Sequence, residues 1–432
     1  MPPAAASLKG SKRAETELIS PPVLSPQSSI AEDNIKTSKA APLTPFELLL
    51  AFCRSETGAK RSLQNQLGRE TVPDLEVLIR LAEQHDVVPV LHREVFNFPD
   101  AVPSQVLEAL RLAYQRNAQK NVRLTHELIR IIDCLESHAV AAIPYKGPVL
   151  AQVIYGEIAM RQFSDLDILI RPADVPRAKA AVAALGYRPS WQMTDAEEQA
   201  YVCSGYERAF DGPLGGNLLE LQWRILPRFY CVDLSVECLF ERASEIDMGG
   251  RMVRALSPED LVLILCIHGA KHAWSRLSLL CDIAGAARSR NINYELLEKR
   301  AHRLGIARIV GVNFWLVHDL LGLPLPPPLA KCMQRDRNIE FLARRIQRRL
   351  SHASEYDPQS SDYFRLMLAL RERTSDRVRF LARLAFTPSM GEWATLRLPS
   401  WLFPIYRMIR LYRLAGRLFR SVWQQLRVWS VR

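Results

Sequence analysis

Two aspartates one position apart are the residues of this sequence with the clearest chemical potential. Asp165 and Asp167 stand in the segment 163–170, FSDLDILI, where apolar residues alternate with the acids. This period predicts a strand with one apolar and one polar face, so both carboxylates point to the same side. Like charges this close repel, and a divalent cation between them relieves the repulsion. A solvated strand face without a metal is the alternative.

A lysine and a glycine before the acids suggest a place for phosphates. Residues 140–145 read as a short strand that ends at Lys146-Gly147, and a helix is predicted over 149–155. Glycine lets the backbone approach a phosphate, and a helix N-terminus offers free N–H groups. Lys146 could add a point charge for a triphosphate. A simple strand-to-helix turn explains the pair equally well, and the sequence has no P-loop pattern.

A third acid follows in a later alternating segment. Glu220 and Gln222 would share the polar face of a strand predicted over 217–226. Beside the Asp165–Asp167 strand, Glu220 could act as a metal ligand or as the base for an incoming hydroxyl. Three carboxylates suit Mg²⁺, which prefers carboxylate and phosphate oxygens. The alternative is an exposed glutamate on an edge strand.

The composition is that of a globular protein of several packed units. The chain has 432 residues, is 48% hydrophobic and carries a formal net charge of +11. No apolar run approaches the roughly 18 residues of a membrane span, and no signal peptide is evident, so we expect a cytoplasmic protein. The 8 cysteines show no paired or zinc-finger spacing and predict reduced thiols.

The elements that must position the acids form an α+β protein, with a small mixed sheet flanked by helical regions. Further strands are predicted at 206–211 and 251–256, a helix at 175–185, and N-terminal helices at 73–86, 103–119 and 121–138. The predicted regions are a disordered leader 1–43, a helical region 44–138, an α/β core 139–256, a helical region 257–390 and a basic amphipathic tail 391–432.

Taken together, the motifs resemble the nucleotidyltransferase fold of the DNA polymerase beta superfamily. More narrowly, they are similar to the bacterial family of uncharacterised nucleotidyltransferases. The matching residues are Lys146-Gly147, Tyr155, Arg161, the segment 165–170, Gly186-Tyr187, and the segments 220–223, 257–261, 268–274 and 282–284.

The resemblance implies Mg²⁺-dependent transfer of a nucleotidyl group from an NTP, ATP among the candidates, to a hydroxyl acceptor. It assigns the metals to Asp165, Asp167 and Glu220, which are also the implied catalytic residues. The implied nucleotide-binding residues are Lys146, Gly147, Arg161, Ser164, Lys271 and His272. The acceptor stays open between a small molecule, a saccharide and another protein.

Two departures from the family pattern keep a second hypothesis open. The family strand usually reads Asp-Leu-His-Trp, whereas this chain has Glu220 and Gln222 at the acidic and histidine positions. Lys-Gly also replaces the usual Gly-Ser, at a longer distance from the acids. A non-catalytic protein of the same fold, binding a nucleotide or a partner, is therefore the alternative. A nucleic-acid-associated factor is a weaker one, because no base-reading motif is present.

Two other features have competing explanations. His268 and His272 lie on one helix face, a spacing that can bind zinc, although the HExxH glutamate and a third ligand are missing; packing, or contact with the nucleotide, is the other reading. Arginines along 405–429 predict a basic helix. This helix either binds an acidic partner or an anionic membrane, which would place the protein at the inner membrane face, or it packs its apolar side on the protein.

Overall fold

The computed structural model describes residues 43–54, 75–97, 99–288, 292–351, 360–388 and 398–416. The predicted leader, apart from residue 43, and the part of the predicted tail beyond residue 416 lie outside these ranges. The division into domains at the predicted limits stays a prediction.

The N-terminal part is helical, as the apolar spacing predicts. Its helices are α1 (Pro45–Cys53), α2 (Leu75–Gln84), α3 (Val88–Val95) and α4 (Ser104–Ser137). The predicted break near residue 120 is wrong, because α4 is one continuous helix of 34 residues. Lys120 is a strong helix former, and no glycine or proline interrupts the segment.

The central part alternates strands and short helices. Its strands are β1 (Ala142–Pro144), β2 (Leu166–Ile170), β3 (Arg188–Pro189), β4 (Glu207–Gly212), β5 (Gly215–Gln222), β6 (Ser244–Asp247) and β7 (Met252–Ala255). Its helices are α5 (Gly147–Tyr155), α6 (Val175–Ala184), α7 (Asp195–Ser204) and α8 (Val236–Glu241). The sequence analysis did not predict α7, α8 or β6.

Five strands form one mixed sheet in the order β1-β2-β5-β4-β3. β2 runs parallel to β5, whereas the β1–β2, β4–β5 and β3–β4 pairs are antiparallel. β6 and β7 form a separate antiparallel pair. β5 ends before the predicted residue 226, because the N–H groups of Trp223 and Arg224 both donate to the Tyr206 carbonyl and end the ladder. The α+β fold with a mixed sheet is as predicted.

The C-terminal part returns to helices. They are α9 (Pro258–Lys271), α10 (Leu277–Ala287), α11 (Tyr294–Leu304), α12 (Ala307–Leu321), α13 (Pro327–Arg335), α14 (Asn338–Leu350), α15 (Ser361–Ala369) and α16 (Thr374–Phe386), followed by helical residues 405–416. Ser257 caps α9 through the Asp260 N–H, with Pro258 in the first position. Within the described ranges, no helix combines the length and the apolar character that a membrane span requires.

Both faces of β2 are covered, which argues against the alternative of a solvated strand face. Every residue of β2 is buried. Ile168 belongs to one apolar core with residues of α4 and α6, and Leu169 belongs to a second core with residues of α9, α10 and α12. The C-terminal helices therefore bury the face on which the aspartates lie, and the acids sit at the edge of a protein interior.

The helix at 405–416 does not present a simple stripe of arginines. Arg410 is buried and donates to the Leu384 carbonyl at 3.1 Å. Arg407 is exposed and Arg413 is half-buried. Met408 and Tyr412 of this helix, and Trp401 just before it, are also exposed. The remaining predicted arginines, at 417 and 420, lie outside the described residues.

Candidate functional site

The strand register brings the three predicted acids together. Asp167 of β2 lies opposite Glu220 of β5 in the parallel pair, and Asp165 stands one residue before β2 begins. One carboxylate oxygen from each of the three lies within 4.8 Å of the others. Because β5 is a central strand, Glu220 is not the exposed edge residue of the alternative reading.

The side chain of Gln222 bridges two of these acids. Its Nε2 donates to Asp167 Oδ1 and to Glu220 Oε2, at 2.9 Å in each case. The Tyr145 hydroxyl donates to Gln222 Oε1 at 2.5 Å, and the carboxylates, which only accept, take the NH2 end of the amide. The amide thereby orients both carboxylates without adding a charge.

Asp167 has one satisfied and one unsatisfied oxygen. Oδ1 accepts from Gln222 and, at 2.7 Å, from Lys146 Nζ. Oδ2 is buried and has no hydrogen-bond partner among the described residues. An unpaired buried carboxylate oxygen is costly unless a cation or water meets it. Together with the other two acids it forms an oxygen donor set that fits a hard divalent cation.

The electrostatics of the cluster also suit a cation. Burial raises the pKa of Glu220 to about 8, and the nearby charges of Glu207 and Asp167 add to the effect. Burial, and then Asp167, raises the pKa of Asp165, although Lys146 opposes this. A bound divalent cation would favour the ionised form of each carboxylate.

Glu207 is an acid of this site that the sequence reading missed. It lies opposite Gln222 in the β4–β5 hairpin, and Gln222 Nε2 approaches its Oε2 at 3.4 Å. The turn-rich residues 212–216 signalled the hairpin. Counting the register back from that turn would have placed Glu207 beside the polar face of β5.

Gly147 begins α5 in a left-handed conformation, with φ of +55°. A Cβ at this position would lie 3.3 Å from the Asp165 carbonyl oxygen. The glycine therefore lets the start of α5 pack against the backbone that carries Asp165. It is not among the residues that line the cleft in front of the acids.

A cleft of about 610 Å³ opens in front of the acids. Its size is that of a typical small-molecule site. Apart from Gly147, all the predicted site residues line it: Lys146, Arg161, Ser164, Asp165, Asp167, Glu220, Lys271 and His272. A larger groove of about 920 Å³ lies beside α1 and α14, and its lining contains none of them.

Most cations of the cleft are already paired with an acid. Arg161 forms a buried ion pair with Asp282 at 3.0 Å, and Arg276 pairs with Asp86 at 2.5 Å. Lys146 pairs with Asp167, as described above. The charge of Arg161, which the sequence reading assigned to phosphates, is thus largely balanced by an aspartate of α10.

Two lysines of the cleft differ from these cations. Neither Lys120 nor Lys271 forms an ion pair within the part of the chain that the structure describes. Lys271 Nζ lies 3.4 Å from the Tyr206 hydroxyl and 5.1 Å from the centre of its ring. Lys120, on α4, was missed by the sequence reading, and burial lowers its pKa. These two ammonium groups have charge available for an anionic ligand.

His268 and His272 both line the cleft. Their rings lie 4.5 Å apart, and burial lowers the pKa of His268 well below its ordinary value. Within the described ranges, neither belongs to a group of side chains that could hold a metal. The histidines are thus placed to contact a small molecule bound in the cleft. The hypothesis of a zinc site at this pair has no third coordinating side chain within the described ranges.

Two asparagines of α4 hold the loop that leads to the acids. Asn121 Nδ2 donates to the carbonyls of Ile158 and Arg161, at 2.7 Å in both cases. Asn117 Nδ2 donates to the Ala159 carbonyl at 2.9 Å. These bonds give side-chain partners to backbone carbonyls of this segment. They fix residues 158–161, just before Asp165.

Comparison with known proteins gives one match. The model of a family described as uncharacterised nucleotidyltransferase matches residues 72–322, more than half of the chain. No curated protein and no solved structure matches significantly. The matched range contains the three acids, both sheets and the lining of the cleft up to α10.

Proposed function

The chain belongs to the family of uncharacterised nucleotidyltransferases, and from this premise we propose that it transfers a nucleotidyl group from an NTP to a hydroxyl acceptor with Mg²⁺. The observation that carries the proposal is the meeting of Asp165, Asp167 and Glu220 within 4.8 Å at the wall of a cleft that also contains lysines. Acids for a metal and cations for phosphates are what this reaction requires.

The metal would be held by Asp165, Asp167 and Glu220. The buried, unpaired Oδ2 of Asp167 supports this assignment, since a cation would satisfy it. When bound, Mg²⁺ supplies charge neutralisation at the triphosphate and a fixed orientation of its oxygens. Lys146 and Gln222 keep Asp167 Oδ1 in place and leave Oδ2 for the cation.

The proposed reaction is an in-line displacement. The acceptor hydroxyl oxygen forms a bond to the α-phosphorus of the NTP, and the bond from that phosphorus to the α,β-bridging oxygen breaks. Pyrophosphate leaves with the electron pair of the broken bond. Glu220, in the carboxylate form that a bound cation favours, takes the hydroxyl proton.

The cations and polar groups of the cleft would bind the triphosphate. Lys271 and Lys120 are the best placed, because neither is neutralised by an ion pair in the described ranges. Lys146, Arg161, Ser164 and His272 also line the cleft and would orient the nucleotide. Gly147 contributes by positioning Asp165.

A second candidate is a non-catalytic protein that binds a nucleotide or a partner in the cytoplasm or at the inner membrane face. The 2.7 Å ion pair between Lys146 and Asp167 favours it, because a lysine already offsets one charge of the cluster. The exposed Trp401, Met408 and Tyr412 near Arg407 would form its contact surface.

The two candidates differ in their response to Mg²⁺. The purified protein is incubated with each of the four NTPs, labelled at the α-phosphate, together with a cell extract and either Mg²⁺ or EDTA. The enzyme transfers label to an acceptor and releases pyrophosphate only with Mg²⁺. Titration calorimetry with each NTP is the companion measurement. Absence of both transfer and metal-dependent NTP binding would reject the enzymatic proposal in favour of the second candidate.

A further inference from the structure

A second group of metal-binding side chains lies in the C-terminal helices. Within the described residues, Glu298 and His302 of α11 and Cys332 of α13 each offer a ligand atom, and these atoms lie within 4.8 Å of one another. None of the three lines the cleft of the nucleotidyltransferase site. The group is therefore a separate feature of the molecule.

Two of the distances between these ligand atoms are close to those of a tetrahedral zinc site. His302 Nε2 lies 3.7 Å from Glu298 Oε1 and 3.9 Å from Cys332 Sγ. Zinc bonds of about 2.0–2.3 Å at tetrahedral angles place ligand atoms roughly 3.3–3.6 Å apart. The first distance is too long for a hydrogen bond. If each of these two distances shortened by a few tenths of an ångström, the ligand atoms would have the separation that a shared zinc ion requires.

The local structure explains why the three meet. Glu298 and His302 are four residues apart on α11, so they share one face of the helix. Cys332 and Leu329 are the buried residues of α13, and Leu329 belongs to the same apolar core as Leu297 of α11. Packing of the two helices thus sets the thiol against the imidazole.

A fourth side chain lies on the other side of the imidazole. Glu372 Oε2 is 3.9 Å from His302 Nδ1, too long for a hydrogen bond, and Glu372 Oε1 accepts the backbone N–H of Arg308 at 2.7 Å. A carboxylate that accepts from the second nitrogen of a metal-bound histidine orients the ring, and Glu372 would do so after a small approach of the two groups. Glu372 is not one of the three proposed ligands.

The thiol of Cys332 lies among acidic side chains, those of Glu298, Glu372 and Asp336. All 8 cysteines of the chain are free thiols. A metal ion bound at Sγ would displace the thiol proton and offset the surrounding negative charge.

We propose that Glu298, His302 and Cys332 bind one Zn²⁺, with water as the fourth ligand and Glu372 orienting His302. Mixed oxygen, nitrogen and sulfur ligands at tetrahedral spacing are typical of zinc. The ion would join α11 to α13 and stabilise this part of the helical region. The competing explanation is a protonated His302 between two carboxylates, with no metal.

The test uses the full chain, stripped of metal and titrated with Co²⁺. We expect a thiolate-to-cobalt charge-transfer absorption that is lost when Zn²⁺ is added. That absorption requires a cysteine ligand, so binding at the carboxylates of the cleft does not produce it. Its absence from the wild-type protein would overturn the proposal and favour the protonated histidine.

Variants identify the ligands. Cys332→Ser should abolish the absorption, and His302→Gln should weaken Zn²⁺ binding by at least about tenfold; Cys203→Ser removes an exposed cysteine and is the matched control. Glu372→Gln should weaken binding by about 10–100-fold while the absorption remains. Retention of the absorption in Cys332→Ser, or equal loss in Cys203→Ser, contradicts the assignment. Should Cys332→Ser fail to fold, the wild-type spectrum and His302→Gln still decide.

Discussion

Asp167 and Glu220 lie directly opposite each other in the parallel pair of β2 and β5. Opposed residues of neighbouring strands point to the same side of the sheet, so the register itself sets the separation of the two carboxylates. Gln222, two residues on, shares that side and holds both acids through one amide nitrogen. The relative placement of Asp167 and Glu220 is thus a property of the strand register.

Asp167→Asn is expected to remove nucleotidyl transfer and to leave the fold intact. The change deletes the buried carboxylate charge without changing volume, and a metal contributes several kcal/mol to such a reaction. The loss should therefore be at least about 100-fold. Pyrophosphate release with Mg²⁺ measures it, and circular dichroism checks the fold. Equal turnover by the variant and the parent would dismiss the catalytic role.

Gln222→Glu should destabilise the metal-free protein. The change replaces a buried donor by a carboxylate beside Asp167, Glu220 and Glu207, so we expect a loss of about 3 kcal/mol at pH 8. Mg²⁺ should restore part of it, because a cation offsets the added charge. Urea unfolding with and without Mg²⁺ provides the measurement.

Gln192→Glu is the control for this change, since Gln192 is exposed and lies outside the cleft. It should alter stability by less than about 0.5 kcal/mol and show no Mg²⁺ dependence beyond that of the parent. Similar losses in both variants would mean that the bridge from Gln222 is unimportant.

The two glycines at the ends of α5 allow a matched experiment. Gly147 and Gly156 both have positive φ, +55° and +68°, but only at Gly147 would a Cβ approach the Asp165 carbonyl oxygen. Alanine at either position should cost about 1–2 kcal/mol, because the left-handed conformation is strained. Only Gly147→Ala should also weaken Mg²⁺-dependent NTP binding, measured by calorimetry. If Gly156→Ala weakens it equally, the contact with Asp165 is not the cause.

The local part of this site could be read from the sequence. Alternation placed Asp165 and Asp167 on one strand face and Glu220 on another, since a period of two residues is visible in a short segment. The hairpin turn at 212–216 is likewise visible in a short segment, through its glycine and proline residues. Such signals need no knowledge of distant contacts.

The remaining parts of the site depend on packing between distant segments. Lys120 enters the cleft from α4, and Asn121 reaches a loop that follows 37 residues later. Arg161 is balanced by Asp282, a partner 121 positions away. Helix periodicity predicts which face of α4 is apolar, but it does not say which loop a polar residue meets. The burial of the acidic face of β2 likewise depends on the C-terminal helices.

His85 should make the protein sensitive to acid. It is fully buried, and its Nδ1 accepts the Leu277 N–H at 3.2 Å, so it must be neutral in the folded state. Burial, and then Arg276, lowers its pKa, whereas Asp86 opposes the shift. The unfolded chain therefore binds the proton first as the pH falls below about 6.5. The contribution of the neutral His85 to the free energy of unfolding is complete above that pH and is lost progressively below it.

His85→Asn tests this link, because asparagine keeps an acceptor for Leu277 and does not titrate. At pH 7.5 the variant should be less stable than the parent by about 1–3 kcal/mol, through loss of the buried ring. At pH 5 the difference should narrow, since only the parent pays for keeping a neutral histidine. Urea unfolding at both pH values measures it, with the exposed His126→Asn as control. A difference that stays constant or widens on acidification would show that His85 does not couple folding to pH.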